Sequence, residues 1–178
     1  MQTVTQLLNN SLFDPKKFIK SFKKEKLNTA LLLYVITLTI ATFIQYTLAQ
    51  LFPTSYYANG MQEITLATLL LGIPSNFILL LLFAAVTHLI LKLFESKVKY
   101  DRTLVILALA SVPSTILSLL PYLGIIASII YLFGIAIYGI KEVHNVSTAK
   151  AITSFLAPFI ITILLALLFF VSLISAVA

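Results

Sequence analysis

Residues 92–102, KLFESKVKYDR, decide the fold of this chain because they place four basic residues between two long apolar runs. The run before them covers residues 66–94 and the run after them covers residues 103–120. A helix rises 1.5 Å per residue, so a bilayer core of about 30 Å needs about 20 apolar residues. We therefore predict a membrane-spanning helix on each side of this basic loop.

Three further apolar runs predict spans at residues 29–52, 122–140 and 149–176. Only Pro121 separates the third span from the fourth. A single helix over both would be about 57 Å long, nearly twice the membrane thickness, so two spans joined by a tight turn are predicted. The expected fold is an all-α integral membrane protein. It has a cytoplasmic segment at residues 1–28 and a five-helix transmembrane domain at residues 29–178.

The composition excludes an ordinary soluble domain. Of the 178 residues, 60% are hydrophobic and only 10% are charged, and the mean hydropathy is +1.06. The net charge of +6 would suit nucleic acid, but the basic residues flank the spans, which favours a topology signal and contact with anionic lipid. The first apolar run is too long for a signal peptide.

All twelve lysines and arginines fall on one side of a five-span topology, which fixes the predicted orientation. The opposite side holds the loop at residues 53–65, the Pro121 turn and the C-terminus, and its only charged side chain is Glu63. We expect a cell-membrane protein with its N-terminus in the cytoplasm and its C-terminus outside. The basic residues are Lys16, Lys17, Lys20, Lys23, Lys24, Lys26, Lys92, Lys97, Lys99, Arg102, Lys141 and Lys150.

A short amphipathic helix is predicted ahead of the first span. Asp14 is a suitable N-cap for a helix that begins at Pro15. Phe18 and Phe22 share one face, and Lys16, Lys17 and other lysines cover most of the rest. This pattern predicts a helix lying in the cytoplasmic headgroups, where each lysine adds about 1 kcal/mol on anionic lipid. A docking site for a protein partner is the alternative interpretation.

The sequence offers little for catalysis. All six acidic residues lie in loops or at span ends, there is no cysteine, and neither a Gly-x-Ser-x-Gly motif nor a phosphate-binding glycine loop occurs. We therefore predict no enzymatic activity, no catalytic residue, no metal site and no cofactor.

A small transporter or channel is the alternative function, with polar side chains lining a path between the helices. Hydroxyl and amide groups also bridge membrane helices, at about 0.6 kcal/mol each. His88 lies one turn before Lys92, and a lone histidine in such a place more often bonds to a neighbouring helix than relays a proton or binds a metal ion. The candidate path-lining residues are Asn76, His88, Ser111 and Ser114.

Residues 138–151, YGIKEVHNVSTAKA, followed by Pro158 in the last span, resemble the Yip family of five-span, Ypt/Rab-interacting membrane proteins. Leu12-Phe13-Asp14-Pro15 is similar to the usual entry of that family, and residues 110–113, ASVP, are similar to its third-span proline motif. The resemblance runs from about residue 12 to the end, and the compact form is like that of short prokaryotic, archaeal-type members.

The resemblance implies five helices and a cytoplasmic N-terminus, in agreement with the charge pattern. It also implies oligomers, and in eukaryotic relatives Rab-type GTPases and membrane traffic. Those relatives have a long cytoplasmic segment before the first span, so its absence here weighs against a GTPase partner. We expect a scaffold that organises the membrane or binds a partner. The expected partners are another membrane protein, a second copy of this chain and anionic lipid. The residues predicted to make these contacts are Lys16, Lys17, Phe18, Phe22, Glu142, His144 and Lys150.

Overall fold

The computed structural model describes residues 3–51, 66–120 and 123–177, and within these ranges every regular element is a helix. The predicted loop at residues 53–65 and the Pro121 turn lie outside the described residues. The helices are α1 (Val4–Phe13), α2 (Pro15–Ser21), α3 (Leu27–Leu51), α4 (Leu66–Leu93), α5 (Tyr100–Leu117), α6 (Leu123–His144) and α7 (Thr148–Val177).

Five of these helices, α3 to α7, contain a stretch long and apolar enough to cross a bilayer. The predicted fold class is therefore confirmed, including the separation of the third and fourth spans into two helices. Three prolines lie inside spans rather than at their ends: Pro74 in α4, Pro113 in α5 and Pro158 in α7. Membrane helices tolerate such prolines because neighbouring groups satisfy the freed backbone carbonyls.

Helix α5 is the centre of the bundle. It packs against α3, α4 and α6, and residues 103–110 are buried on every side of the helix. It is the least hydropathic of the five spans, yet 56% of its most apolar window is buried, against 17% for α4 and α7. In a membrane the outer helices face hydrocarbon, so they need the most apolar surface, whereas the central helix can carry polar groups that its neighbours satisfy.

An aromatic cluster holds the first half of α7 against α4 and α6. The ring of Phe155 lies with its centroid 5.5 Å from that of Phe83 and 5.0 Å from that of Phe133, both in edge-to-face geometry. Beyond this cluster, residues 159–172 of α7 are all exposed. This exposed apolar surface is the part of the helix available to lipid.

The N-terminal segment forms two short helices. Asp14 Oδ1 accepts a hydrogen bond of 3.0 Å from the Lys17 N–H, so the predicted cap of a helix beginning at Pro15 is confirmed. Helix α1, which precedes it, was not predicted. Its N-terminus is closed by a capping box between Thr3 and Gln6, an arrangement that satisfies two backbone N–H groups at once.

Helix α2 does not lie in the headgroup plane as predicted, because it runs beside α6. Just after α2, the Phe22 ring lies close to Gly139 of α6. Just before α2, the Leu12 carbonyl of α1 accepts a 2.9 Å hydrogen bond from the Tyr131 hydroxyl of α6. Tyr131 and Gly139 are eight residues apart, which is about 12 Å along the axis of α6. The segment from Leu12 to Phe22 therefore follows the direction of the span.

The aromatic face of α2 is buried in protein rather than in lipid. Phe18 and Phe22 have no exposed surface, and their rings pack edge to face with centroids 5.0 Å apart. Their predicted contact with lipid or a partner is therefore wrong. The amphipathic pattern correctly predicts a helix with an apolar face opposite exposed lysines. That face packs against the helical bundle rather than against lipid headgroups.

Gly139 allows α2 to approach α6, and its replacement provides a test of this packing. A Cβ atom at Gly139 would lie 2.8 Å from both Ile106 Cγ2 and Phe22 Cε2, whereas a Cβ atom at Gly134 would meet nothing within 4 Å. Overpacking of this kind destabilises by about 1–3 kcal/mol. We expect Gly139→Ala to lower the midpoint of thermal unfolding in detergent, and the matched Gly134→Ala to leave it unchanged or raised. Equal midpoints for the two variants would contradict the observed packing.

Candidate functional site at the charged end of the bundle

One end of the bundle, here called the charged end, gathers the start of α3, α5 and α7 and the end of α4 and α6. Contacts between these ends establish the arrangement: Arg102 reaches the Glu25 carbonyl at 2.8 Å, and the Lys150 ammonium lies 5.6 Å from the Phe94 ring centroid. The charged side chains of the described residues lie at this end or on the segment that contains α2. Glu63 is outside the described residues.

A buried hydrogen-bond network, here called the histidine network, joins three of these helix ends. His88 Nδ1 lies 2.9 Å from the Thr103 hydroxyl oxygen, and His144 Nε2 lies 3.1 Å from the same atom. On its other side, His144 Nδ1 lies 2.8 Å from the Ser96 hydroxyl. The network therefore connects α4, α5 and α6 to the loop that follows α4.

Chemistry limits how protons are distributed in the histidine network. The hydroxyl of Thr103 has one proton and two lone pairs, so it donates to at most one imidazole and accepts from the other or from both. With both rings neutral, at least one of the two nitrogens that face Thr103 therefore carries a proton. The two imidazole rings, whose centroids are 6.1 Å apart, share this hydroxyl as a hydrogen-bond partner.

Tyr100 closes one side of the network. Its ring meets the His88 ring edge to face at 5.7 Å, and its hydroxyl donates a 3.0 Å hydrogen bond to the Leu81 carbonyl of α4. Among the described residues, no group of three histidine, cysteine or acidic side chains could hold a metal ion. The arrangement is suited to joining helices and to holding or passing a proton.

The predicted contact residues separate into accessible and inaccessible groups. Lys16 and Lys17 are exposed on α2, and Glu142 forms an exposed ion pair of 3.3 Å with Lys23. His144 is only 4% exposed and its ring nitrogens bond to Ser96 and Thr103, so it offers little surface to a partner. Exposed ion pairs contribute about 0–1 kcal/mol, so the Glu142 pair only weakly ties the N-terminal segment to α6.

Lys150 lies beside an open cavity of about 430 Å³, lined also by Lys97, His144 and Ser147. The Ser147 hydroxyl accepts a 3.3 Å hydrogen bond from the Lys150 N–H and so caps the start of α7. Glu95 and Asn145, at the ends of α4 and α6, line the same cavity with positive φ angles of 64° and 52°. Such left-handed residues close helix C-termini, and glycine or asparagine is their usual occupant.

The four residues predicted to line a transport path do not share one cavity in the part of the chain that the structure describes. Asn76 and Ser111 share a small, largely apolar cavity of about 210 Å³ with Tyr34, whereas Ser114 and His88 do not line it. Asn76 Nδ2 donates to the Gly72 carbonyl and the Ser111 hydroxyl donates to the Leu107 carbonyl, each within its own helix. One donor of each side chain is therefore already used by a backbone carbonyl of its own helix.

Two members of the histidine network, Ser96 and Thr103, were missed by the sequence reasoning. His88 was expected to bond to a neighbouring helix, and the structure places it against Thr103 of α5. The four residues are spread over positions 88 to 144 and share no motif, so no local signal identifies them. Only the packing of three helix ends brings them together.

This architecture of five apolar spans with a polar network at one end is that of a polytopic helical membrane protein. Residues 9–170 match the Yip1 domain, which covers nearly the whole chain. The protein therefore belongs to the Yip1 domain family, as the loop and proline motifs had indicated. No curated protein and no solved structure matches the chain.

Replacing Thr103 by valine tests the coupling of the two rings. The chain has only two histidines, so ¹⁵N-labelled histidine gives one set of ring signals for each partner. We expect Thr103→Val to shift the ring nitrogen resonances of both, and to destabilise the fold by about 1–3 kcal/mol because buried polar atoms lose their partner.

The matched control is Ser111→Ala, which removes a hydroxyl of the same helix that bonds only to its own backbone. It should leave both histidine spectra unchanged. A Thr103→Val spectrum in which only one ring responds would refute the shared hydrogen bond.

Proposed function

We propose that this Yip1-family protein is a non-enzymatic scaffold that organises membrane or binds a partner through its charged end, which faces the cytoplasm. The observation that carries the proposal is the separation of polar groups along the bundle. Exposed charges gather at one end, while Asn76, Ser111 and other polar side chains deeper in the spans are hydrogen-bonded to helix backbone. The function is therefore best sought at the charged end.

The cytoplasmic orientation is supported by the positive-inside rule. All twelve lysines and arginines lie among the described residues, at the charged end or on the segment leading to it. Basic residues near span ends are retained on the cytoplasmic side during insertion. The same charges favour an acidic protein surface or anionic lipid as partner.

The accessible part of this surface consists of the exposed charged side chains. The exposed members of the predicted set are Lys16, Lys17, Glu142 and Lys150. The buried members support this surface through packing and hydrogen bonds, and they are Phe18, Phe22 and His144. Two exposed lysines, Lys97 and Lys150, line the 430 Å³ cavity at the start of α7. An acidic side chain of a partner, or of a second copy, fits this positive site.

A transporter or channel is the less favoured function. The cavity shared by Asn76 and Ser111 is lined mainly by leucine and phenylalanine, and charged side chains are absent from its lining. Ions or polar solutes would lose their hydration there without gaining replacement ligands.

The family is not known as enzymatic, which agrees with the non-enzymatic part of the proposal.

A flux measurement separates the scaffold from the transporter. We expect purified protein in liposomes to pass protons no faster than protein-free liposomes under a potassium-diffusion potential, and His88→Ala to change nothing. Proton flux in the wild type that His88→Ala abolishes would overturn the scaffold function.

Site-specific photo-crosslinking tests the surface directly. A photoreactive amino acid in place of the exposed Lys150 should give a defined protein adduct in cells, and one in place of the exposed Phe170, at the opposite end of α7, should label lipid only. Glu142→Gln or Lys97→Gln should reduce the Lys150 adduct without changing the amount of protein in the membrane. Protein adducts formed only at Phe170 would contradict a function at the charged end.

A further inference from the structure

A third cavity, here called the Glu25 cavity, opens at the charged end between the start of α3 and the first turn of α5. Its volume is about 390 Å³, within the range of small-molecule sites. The lining combines three basic and two acidic side chains with two apolar ones. The lining residues are Glu25, Lys26, Leu27, Lys99, Asp101, Arg102 and Val105.

Glu25 is the unusual member of this lining. The residue is only 2% exposed, and its Oε2 atom has no hydrogen-bond partner among the described residues. The only ion pair within the described ranges joins Lys23 to Glu142, so Glu25 has no such pair. A buried carboxylate oxygen that has neither a direct ion pair nor a hydrogen-bond donor is unfavourable. The site therefore calls for a ligand that supplies an N–H donor.

Arg102 is held beside Glu25 without pairing with its carboxylate. Its Nη1 atom donates to the Glu25 backbone carbonyl at 2.8 Å and to the Phe22 carbonyl at 3.5 Å. Guanidinium has five N–H donors in a planar fork, so other donors of Arg102 remain for an anion. Lys26 and Lys99 are both exposed and line the same cavity, so they add positive charge next to Arg102.

We propose that the Glu25 cavity binds an aminophosphate group, specifically the phosphoethanolamine headgroup of a phospholipid. The ammonium of the headgroup donates to Glu25, and its phosphate lies with Arg102, Lys99 and Lys26. A ligand of one sign would leave part of this mixed lining unmatched, whereas a zwitterion matches both parts. Leu27 and Val105, where α3 and α5 enter their apolar stretches, place the cavity at the depth where headgroups meet hydrocarbon.

Comparing two headgroups isolates the part played by Glu25. Phosphoethanolamine and phosphocholine carry the same charges, but the trimethylated ammonium of phosphocholine has no N–H to donate. A hydrogen bond to a charged group is strong enough to change affinity by about tenfold. We expect native mass spectrometry of the full chain in detergent to show about tenfold tighter binding of short-chain phosphatidylethanolamine than of phosphatidylcholine.

The isosteric Glu25→Gln variant should reduce this preference to near equality and leave binding of phosphatidylglycerol, which has no ammonium, unchanged. Lys99→Gln should weaken all three lipids because each has a phosphate. The matched control is Glu142→Gln, which removes an exposed carboxylate of the same end outside the cavity and should keep the tenfold preference. Circular dichroism melting of each variant identifies any that fails to fold, and Glu25→Asp then serves as the second variant, with a weakened preference expected.

Three results would overturn the proposal. Equal binding of the two headgroups by the wild type, or a preference that survives Glu25→Gln, would mean that Glu25 does not bind the headgroup ammonium. Competition by soluble O-phosphoethanolamine as strong as that by the lipid would assign the site to a soluble molecule. The proposal rests on the proposed function because it places lipid recognition at the charged end, and the Lys150 crosslink tests that function independently of this cavity.

Discussion

The structure depends on the requirement that each polar group within the bilayer find its hydrogen-bond partner inside the protein. No water is available in the hydrocarbon core, so the backbone groups of each helix bond to one another. Most described side chains follow the same rule, and the buried Thr87 hydroxyl, which has no partner among the described residues, is an exception. Ser111 and Asn76 bond to carbonyls one turn earlier in their own helices. Thr103 satisfies its hydroxyl between two histidines, and in doing so joins α4, α5 and α6 near the membrane boundary.

The same requirement explains the order of the helices in the bundle. Helix α5 carries the polar groups that need partners, so it occupies the centre, where three other spans surround it. The most apolar helix, α7, lies outside and exposes residues 159–172. Within the described residues, the charged side chains lie at one end of the bundle or on the segment that contains α2.

The N-terminal segment shows why an amphipathic pattern does not specify what covers its apolar face. Phe18 and Phe22 were read correctly as one face of a helix capped by Asp14. Lipid headgroups and a helical bundle satisfy such a face equally well, because burial of apolar surface is non-directional. The N-terminal segment packs on the bundle because Gly139 leaves space for the Phe22 ring and because the Tyr131 hydroxyl bonds to the Leu12 carbonyl. Gly139 and Tyr131 lie more than one hundred residues after the N-terminal segment in the chain.

The sequence by itself determined the class, the number of spans and the shared side of the basic clusters, because hydrophobic length and charge placement act locally along the chain. It also indicated the family and the cap at Asp14. Only the tertiary structure decided that α5 is central, that His88 and His144 share Thr103, and that Glu25 is buried beside Arg102 with no partner for its Oε2 atom among the described residues. These features depend on contacts between residues far apart in sequence, whose direction no local pattern contains.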